Sequence, residues 1–186
     1  MDDRKKLFDI ISRRSLRTGQ EFTLASGRKS TVYFNLKPAM LDPDGARLIG
    51  AALAERAASL GAELVGGLEM GAVPLVAATA AMSAVAGKPL RAVFVRKAAK
   101  DHGTKSLVEG LSEGESLAGR RVVVVEDVTT TGGSSLKAVA ALREAGATVE
   151  HVVTVLDREE GAGEAFTAAG IALHALFRKS DFATEG

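Results

Sequence analysis

Short runs of β-branched and aliphatic residues alternate with longer alanine-rich stretches along most of this chain. The apolar runs are Ala62–Leu68 (AELVGGL), Arg91–Arg96 (RAVFVR), Arg121–Glu126 (RVVVVE) and His151–Leu156 (HVVTVL). They are continuously apolar rather than alternating, which predicts strands buried on both faces. Between them Pro43–Leu60, Pro74–Ala86 and Ser134–Ala145 predict helices. Pro43 suits a first helical turn with Asp42 as its N-cap. Gly61 and Gly146 stand where helix C-caps are expected. Strand–helix alternation of this kind predicts an α/β fold, a central and mostly parallel sheet flanked by helices on both faces. Residues 1–40 break the pattern. There a charged helix precedes FTLASGRKSTVYFN, read as two short strands joined by a Ser-Gly turn. We expect a small N-terminal lobe over 1–40 on an α/β core over 41–186, together one compact domain.

Composition narrows the function. The 186 residues suit one domain, and a hydrophobic fraction of 46% supplies its core. With 24 basic and 23 acidic residues the net charge is +1, which argues against nucleic-acid or membrane-surface partners. The chain has no cysteine, so disulfides, thiolate catalysis and Cys-type zinc sites are excluded. With no tryptophan and one tyrosine it makes a poor base-stacking platform. The N-terminus MDDRKKLFDIISRR lacks the apolar core of a secretory signal. The alanine-rich stretch Pro74–Ala86 is interrupted by Thr79 and Ser83 and is too short to span a bilayer. The expected location is the cytoplasm.

Chemistry concentrates in residues 122–134, VVVVEDVTTTGGS. Glu126 and Asp127 fall at the carboxyl edge of the predicted sheet, where open parallel sheets gather ligands. The TTTGGS loop then offers backbone N–H groups, hydroxyls and glycines at a helix N-terminus predicted near Ser134 or Ser135. Orphan N–H groups and the helix dipole favour a phosphate there. The acids would repel phosphate, unless the ligand also brings vicinal hydroxyls or a magnesium ion for them to hold. A phosphorylated sugar fits both halves. No GxxxxGK[ST] occurs, and the acids precede the glycines, opposite to a dinucleotide-binding turn. Taken alone, ED is better explained by a strand ending in a polar turn that caps a helix.

Two further segments carry charge. Arg96–Gly110 packs Arg96, Lys97, Lys100, His102 and Lys105 into one long loop. Such a loop is either a lid over an anionic ligand or a solvated surface. Arg158 follows the strand VVTVLD, where it either closes the strand at the surface or pairs with a carboxylate.

VVVVEDVTTTGGS resembles the phosphoribosyl-pyrophosphate (PRPP) motif of the type I phosphoribosyltransferases. FTLASGRKSTVYFNLK resembles the N-terminal hood of the orotate phosphoribosyltransferases. VRKAAKDHGTKSLVEG resembles their mobile catalytic loop, and VLDREEG their base-side segment. These segments run in the family's order from about residue 22 to residue 158. The resemblance implies a type I phosphoribosyltransferase fold that transfers a phosphoribosyl group from PRPP to orotate. It assigns PRPP binding to Arg96, Lys97, Lys100, His102, Glu126, Asp127, Val128, Thr129, Thr130, Thr131, Gly132, Gly133 and Ser134. Lys100, Asp127 and His102 take the catalytic roles: Lys100 neutralises the departing pyrophosphate, His102 binds it or donates a proton, and Asp127 serves the ribose. Orotate would meet Thr130, Arg158 and backbone groups near Tyr33 and Phe34.

The implied cofactor is Mg2+, held mainly by PRPP and water near Glu126 and Asp127, with no direct protein ligand. The implied assembly is a homodimer in which the 96–110 loop reaches the neighbouring site, with no nucleic acid or membrane partner. In the family the GGLEMGAVP turn (66–74) takes pyrophosphate through backbone amides, with a cis peptide expected near Glu69–Met70. Some members carry lysine in that turn, where this chain has Gly71 or its neighbours, and a lysine in the hood where this chain has Ala25. A purine-type phosphoribosyltransferase and a non-enzymatic PRPP-binding regulator remain the alternatives.

Overall fold

A computed structural model of the chain describes residues 2–19, 21–23, 29–98 and 106–182. Helix α1 (Asp3–Arg14) is followed by β1 (Leu16–Arg17), β2 (Phe22–Thr23), β3 (Lys29–Ser30) and β4 (Tyr33–Phe34). The core then runs α2 (Lys37–Met40), α3 (Pro43–Ser59), β5 (Leu64–Gly66), α4 (Ala72–Val85), β6 (Arg91–Ala92), β7 (Phe94–Val95) and β8 (Val108–Glu109). It continues through β9 (Val122–Thr129), α5 (Gly133–Glu144), β10 (His151–Asp157), α6 (Ala162–Ala168) and β11 (Ala172–Arg178), ending in a 3-10 turn at Lys179–Phe182.

Five strands form one sheet in the order β11-β10-β9-β5-β6, and every neighbouring pair is parallel. Alternate residues serve opposite faces, as pleating demands. Val65, Val123, Val125, Val153 and Val155 pack with Leu48, Ile49 and Leu53 of α3 and Leu75 and Val76 of α4. Leu64, Val122, Val124 and Val152 pack with Ala138, Val139 and Leu142 of α5 and Phe166 of α6. This is why the strand sequences are apolar throughout. Each valine so buried stabilises the fold by roughly 1.5 kcal/mol or more. Leu7, Ile10 and Ile11 of α1, with Phe34 and Leu36, join the first of these cores.

Helix α3 begins as its sequence predicts. Asp42 accepts hydrogen bonds from the Asp44 and Gly45 N–H groups at 3.1 and 3.0 Å, and Pro43 occupies the first turn. Gly61 and Gly146 take positive φ at the ends of α3 and α5. β2 and β3 pair antiparallel, Phe22 opposite Ser30; the Ser-Gly turn between them lies outside the described residues.

Several boundaries move for a physical reason. The predicted strand Arg121–Glu126 extends to Thr129, because the ladder with β10 continues to the pair Asp157–Thr129. Glu126 and Asp127 are therefore strand residues. The predicted strand Arg91–Arg96 divides into β6 in the main sheet and β7, which pairs antiparallel with β8. Part of the predicted Arg96–Gly110 loop is thus strand. Helix α5 begins at Gly133, one residue ahead of expectation, because Gly132 adopts φ 82° at its N-cap.

Candidate active site

The carboxyl end of β9, the following loop and the first turn of α5 enclose a cavity of about 280 Å³. Glu126, Val128, Thr129, Thr130, Thr131, Gly132, Gly133, Ser134, Ser135 and Lys137 line it. The N-cap Gly132 has no side chain to satisfy the first N–H groups of α5, so these donors face the cavity as an anion cradle. Gly132 is also forced by packing: a Cβ there would come 3.0 Å from the Phe166 ring. Gly133 and Ser134 are exposed.

The two acids differ. Glu126 is 7% exposed, and one of its carboxylate oxygens accepts a hydrogen bond from the buried Ser135 hydroxyl at 2.9 Å. Burial first, and then the adjacent Asp127, push the Glu126 pKa up to about 8. Both effects favour the protonated carboxyl. Asp127 is half-buried and lies against the turn after β5, where a Cβ on Gly71 would approach its Oδ1 to 3.2 Å. The Glu69–Met70 peptide in that turn is cis, as expected for this position.

Thr129, Thr130 and Thr131 run from buried to exposed along the loop. The Thr129 hydroxyl is buried without a hydrogen-bond partner among the described residues. Its carbonyl accepts the Arg158 N–H at 2.9 Å, which fixes Arg158 beside β9. Arg158 is no surface residue: it is 6% exposed, and Nη2 forms an ion pair with Glu160 at 2.8 Å. Its Nε has no hydrogen-bond partner among the described residues.

Arg96 and Lys97 stand at the edge of the same region. The Arg96 N–H donates to the Leu107 carbonyl at 2.8 Å, and the guanidinium lies 4.0 Å from Glu109. Lys97 is exposed, and its N–H donates to the Glu69 carboxylate at 2.7 Å. Lys100 and His102, assigned catalytic roles above, lie outside the described residues. Tyr33 stacks on Phe22 at 5.4 Å, while the Phe34 ring turns into the core against Phe182 at 5.3 Å. Only the Phe34 main chain is left for a ligand.

Four neighbours of the site had no side-chain role in the sequence reading: Ser135, Lys137, Glu69 and Glu160. Lys137 had a local signal, since it lies one helical turn after Ser134. Ser135 had a weaker one as a hydroxyl in the first turn of α5. The partners of Glu69 and Arg158 follow only from tertiary structure.

A buried acid beside a half-buried one, an open helix N-terminus and a buried, under-partnered arginine at one sheet edge suit a ligand with phosphate, hydroxyls and a second anionic group. The phosphoribosyl transferase domain family matches residues 42–167, and the chain belongs to that family. Within it the similarity is to orotate phosphoribosyltransferases. The chain is 56% identical to the orotate phosphoribosyltransferase of a Bradyrhizobium species over 96% of each chain. A crystal structure of the Mycobacterium tuberculosis orotate phosphoribosyltransferase with Fe(III) dicitrate superposes with TM-score 0.84 at 38% identity, over 98% of this chain and 100% of that one. Its complex with PRPP superposes with TM-score 0.79 at 36% identity, over 97% and 98%.

Proposed function

We propose that this protein transfers the 5-phosphoribosyl group of PRPP to orotate, giving orotidine 5'-monophosphate and pyrophosphate in pyrimidine synthesis. One observation carries the reading beyond family membership. The cavity at the start of α5 and the buried Arg158 share one strand end through the Arg158 N–H to Thr129 carbonyl bond.

The N–H groups at Gly133 and Ser134 hold the 5-phosphate, with Thr130, Thr131 and Lys137 around it. Glu126 and Asp127 receive the ribose hydroxyls. A neutral Glu126 offers a proton donor there and spares Asp127 a like-charged neighbour. Arg158 uses its unpartnered N–H face on orotate's carboxylate or ring carbonyls. Thr130 and main-chain groups near Tyr33 and Phe34 complete the base pocket. Arg96, Lys97, Lys100 and His102 contact the diphosphate.

The reaction breaks the bond from the anomeric carbon to the diphosphate oxygen and forms one to a ring nitrogen of orotate. Charge grows on the leaving diphosphate and on the sugar ring. Cationic side chains stabilise the first, and the acids of β9 position and stabilise the second. Lys100 acts mainly as the diphosphate departs. No covalent enzyme nucleophile is needed.

Mg2+ fits this site as an ion carried by diphosphate and water. Among the described residues no three potential ligands cluster, while Asp127 faces the 66–72 turn, close enough that a Cβ on Gly71 would reach it. When bound, magnesium offsets the charge of the diphosphate. The working unit in this reading is a homodimer whose 96–110 loops serve each other's sites. No described helix is long and apolar enough to cross a membrane, and the reading places the enzyme in the cytoplasm.

The test is turnover. The protein is incubated with PRPP, magnesium and orotate, adenine, guanine or uracil in turn, and the loss of orotate's ultraviolet absorbance is followed. Magnesium-dependent turnover of orotate alone is expected. Turnover of a purine instead would overturn the base assignment, and PRPP binding without any turnover would favour a regulator. For the shared site, mixtures of Lys100→Ala and Asp127→Ala subunits should regain activity that neither variant has alone.

A further inference from the structure

The ladder joining the β5 region to the β6–β7 region outlasts the strands themselves. The Val93 N–H donates to the Val65 carbonyl at 2.9 Å, and the Val95 N–H to the Gly67 carbonyl at 2.7 Å. The Glu69 N–H donates back to the Val95 carbonyl at 2.8 Å. The next donor in the series is the Lys97 N–H. Its acceptor is not a main-chain carbonyl but the Glu69 carboxylate, through Oε1 at 2.7 Å. Glu69 thus holds the 93–97 segment twice, once with its backbone and once with its side chain.

The same turn touches the acids of β9. A Cβ on Gly71 would meet Asp127 Oδ1 at 3.2 Å and its Cγ at 3.6 Å. The sequence of the turn, GGLEMGA, contains no cation and one acid. Free in such a turn, a carboxylate would repel a polyanion. Engaged by an N–H, its charge is partly used, and a charged acceptor makes the stronger kind of hydrogen bond. The residue it engages is an exposed lysine.

Resting on the functional reading above, we propose that Glu69 is a positioning residue. Its carboxylate adds one rung to the strand ladder and so seats Lys97 beside the 66–72 turn, where the lysine supplies the turn with the cation it lacks toward the diphosphate of PRPP.

The rung needs an acceptor at full glutamate reach, not a charge. Glu69→Gln keeps an acceptor oxygen at that reach. Glu69→Asp keeps the charge but is shorter by about 1.5 Å, one carbon–carbon step. Steady-state kinetics for both substrates and calorimetric PRPP affinity are measured on wild type, these two variants, Glu69→Ala, Lys97→Ala and the Glu69→Ala/Lys97→Ala double variant. Glu69→Ala and Glu69→Asp should raise KM and Kd for PRPP about tenfold, the scale of one lost hydrogen bond. KM for orotate should stay put, and Glu69→Gln should remain within about twofold of wild type. On a Lys97→Ala background, Glu69→Ala should add little.

Three results would overturn the assignment: Glu69→Gln as damaging as Glu69→Ala, Glu69→Asp as good as wild type, or additive losses in the double variant. If Glu69→Ala fails to fold by thermal melting, the Gln and Asp pair decides. Wild-type turnover of orotate is the separate control. Should it be absent, the functional reading fails, and the Glu69 assignment is judged on PRPP affinity alone.

Discussion

The two ends of the central sheet handle polar groups in opposite ways. At the amino end Glu63, Arg120 and Arg121 lie at the surface and satisfy one another. Glu63 accepts from Arg120 Nε at 2.9 Å and from the Arg121 N–H at 3.0 Å, while Arg121 Nε donates to the Gly61 carbonyl at 2.7 Å. His151 and His174, on neighbouring strands, meet there at 3.3 Å. At the carboxyl end the polar groups are buried and short of partners. The Thr129 hydroxyl, Arg158 Nε and an Arg96 guanidinium nitrogen lack hydrogen bonds among the described residues, and Glu126 is buried beside a second acid. Buried groups of this kind cost stability unless something pairs with them. One end closes the fold, and the other holds unmet hydrogen-bonding capacity for a ligand.

The contrast is broken most sharply at Arg158. If its unpartnered Nε–H awaits orotate, Arg158→Ala should raise KM for orotate about a hundredfold, the scale of a charged contact. KM for PRPP should change far less, and the thermal midpoint should fall only by the loss of the Glu160 ion pair. A large drop in thermal midpoint with unchanged orotate KM would make Arg158 a structural partner of Glu160.

Glu126 gives the next largest effect, and its sign is fixed by linkage. Its folded pKa is raised from 4.5 to about 8. Between those values the folded state keeps a proton that the unfolded state has released, so this group's contribution to stability falls as pH rises through that window. Glu126→Gln removes the dependence. The variant should gain on wild type as pH rises from about 4.5 to about 8, by on the order of a few kcal/mol at the alkaline end. Thermal midpoints across that range check this, and a constant gap would contradict it. Activity should fall at every pH, since the amide cannot serve the ribose as the carboxyl does.

How much of this was legible depended on whether a contact was local. VVVVEDVTTTGGS could be placed from sequence because strand, acids, loop and helix start are contiguous. The Asp42–Pro43 cap was legible for the same reason. β11 was missed because it is an edge strand whose seven residues are mostly part-exposed, so it lacks the apolar run that marked the others. The short pairs β1–β4 and β7–β8 have two residues per strand, too few for any periodicity. Arg158 read equally well as a surface residue, because its burial depends on the parallel pairing of β10 with β9. The Glu69–Lys97 bond spans 28 positions and joins two segments that look independent along the chain.

Two glycines test the comparison with one substitution. Gly61 and Gly132 both have positive φ, 73° and 82°. A Cβ on Gly61 would meet nothing closer than Arg121 Nε at 3.8 Å, whereas on Gly132 it would press on the Phe166 ring at 3.0 Å. Gly61→Ala should cost about 1 kcal/mol from backbone strain alone and leave kinetics unchanged. Gly132→Ala should cost that and roughly 1 kcal/mol more for crowding. It should also weaken PRPP binding, because any relief of the clash moves the N–H groups of α5. Equal melting and equal kinetics for the two would erase the distinction between the ends.

The smallest expected effect is at Glu63, and it isolates the structural end. Its pKa is lowered below the usual 4.5, chiefly by the hydrogen bond from the Arg121 N–H and further by the charges of Arg120 and Arg121. A depressed folded pKa means that this stabilisation is fully present above the unfolded value of 4.5. It is lost as pH falls through the lower folded value. The group is partly open to solvent, which screens the charges, and the change is slight. Glu63→Gln should lower the thermal midpoint slightly at pH 7, with the gap closing once pH drops below the usual carboxylate range. Kinetic constants for orotate and PRPP should match wild type, because nothing at this end reaches the ligand cavity. A change in either constant would mean that the amino end transmits to the site through β9, whose first residues follow directly on Arg121. The two ends would then be one mechanical unit rather than a scaffold and a site.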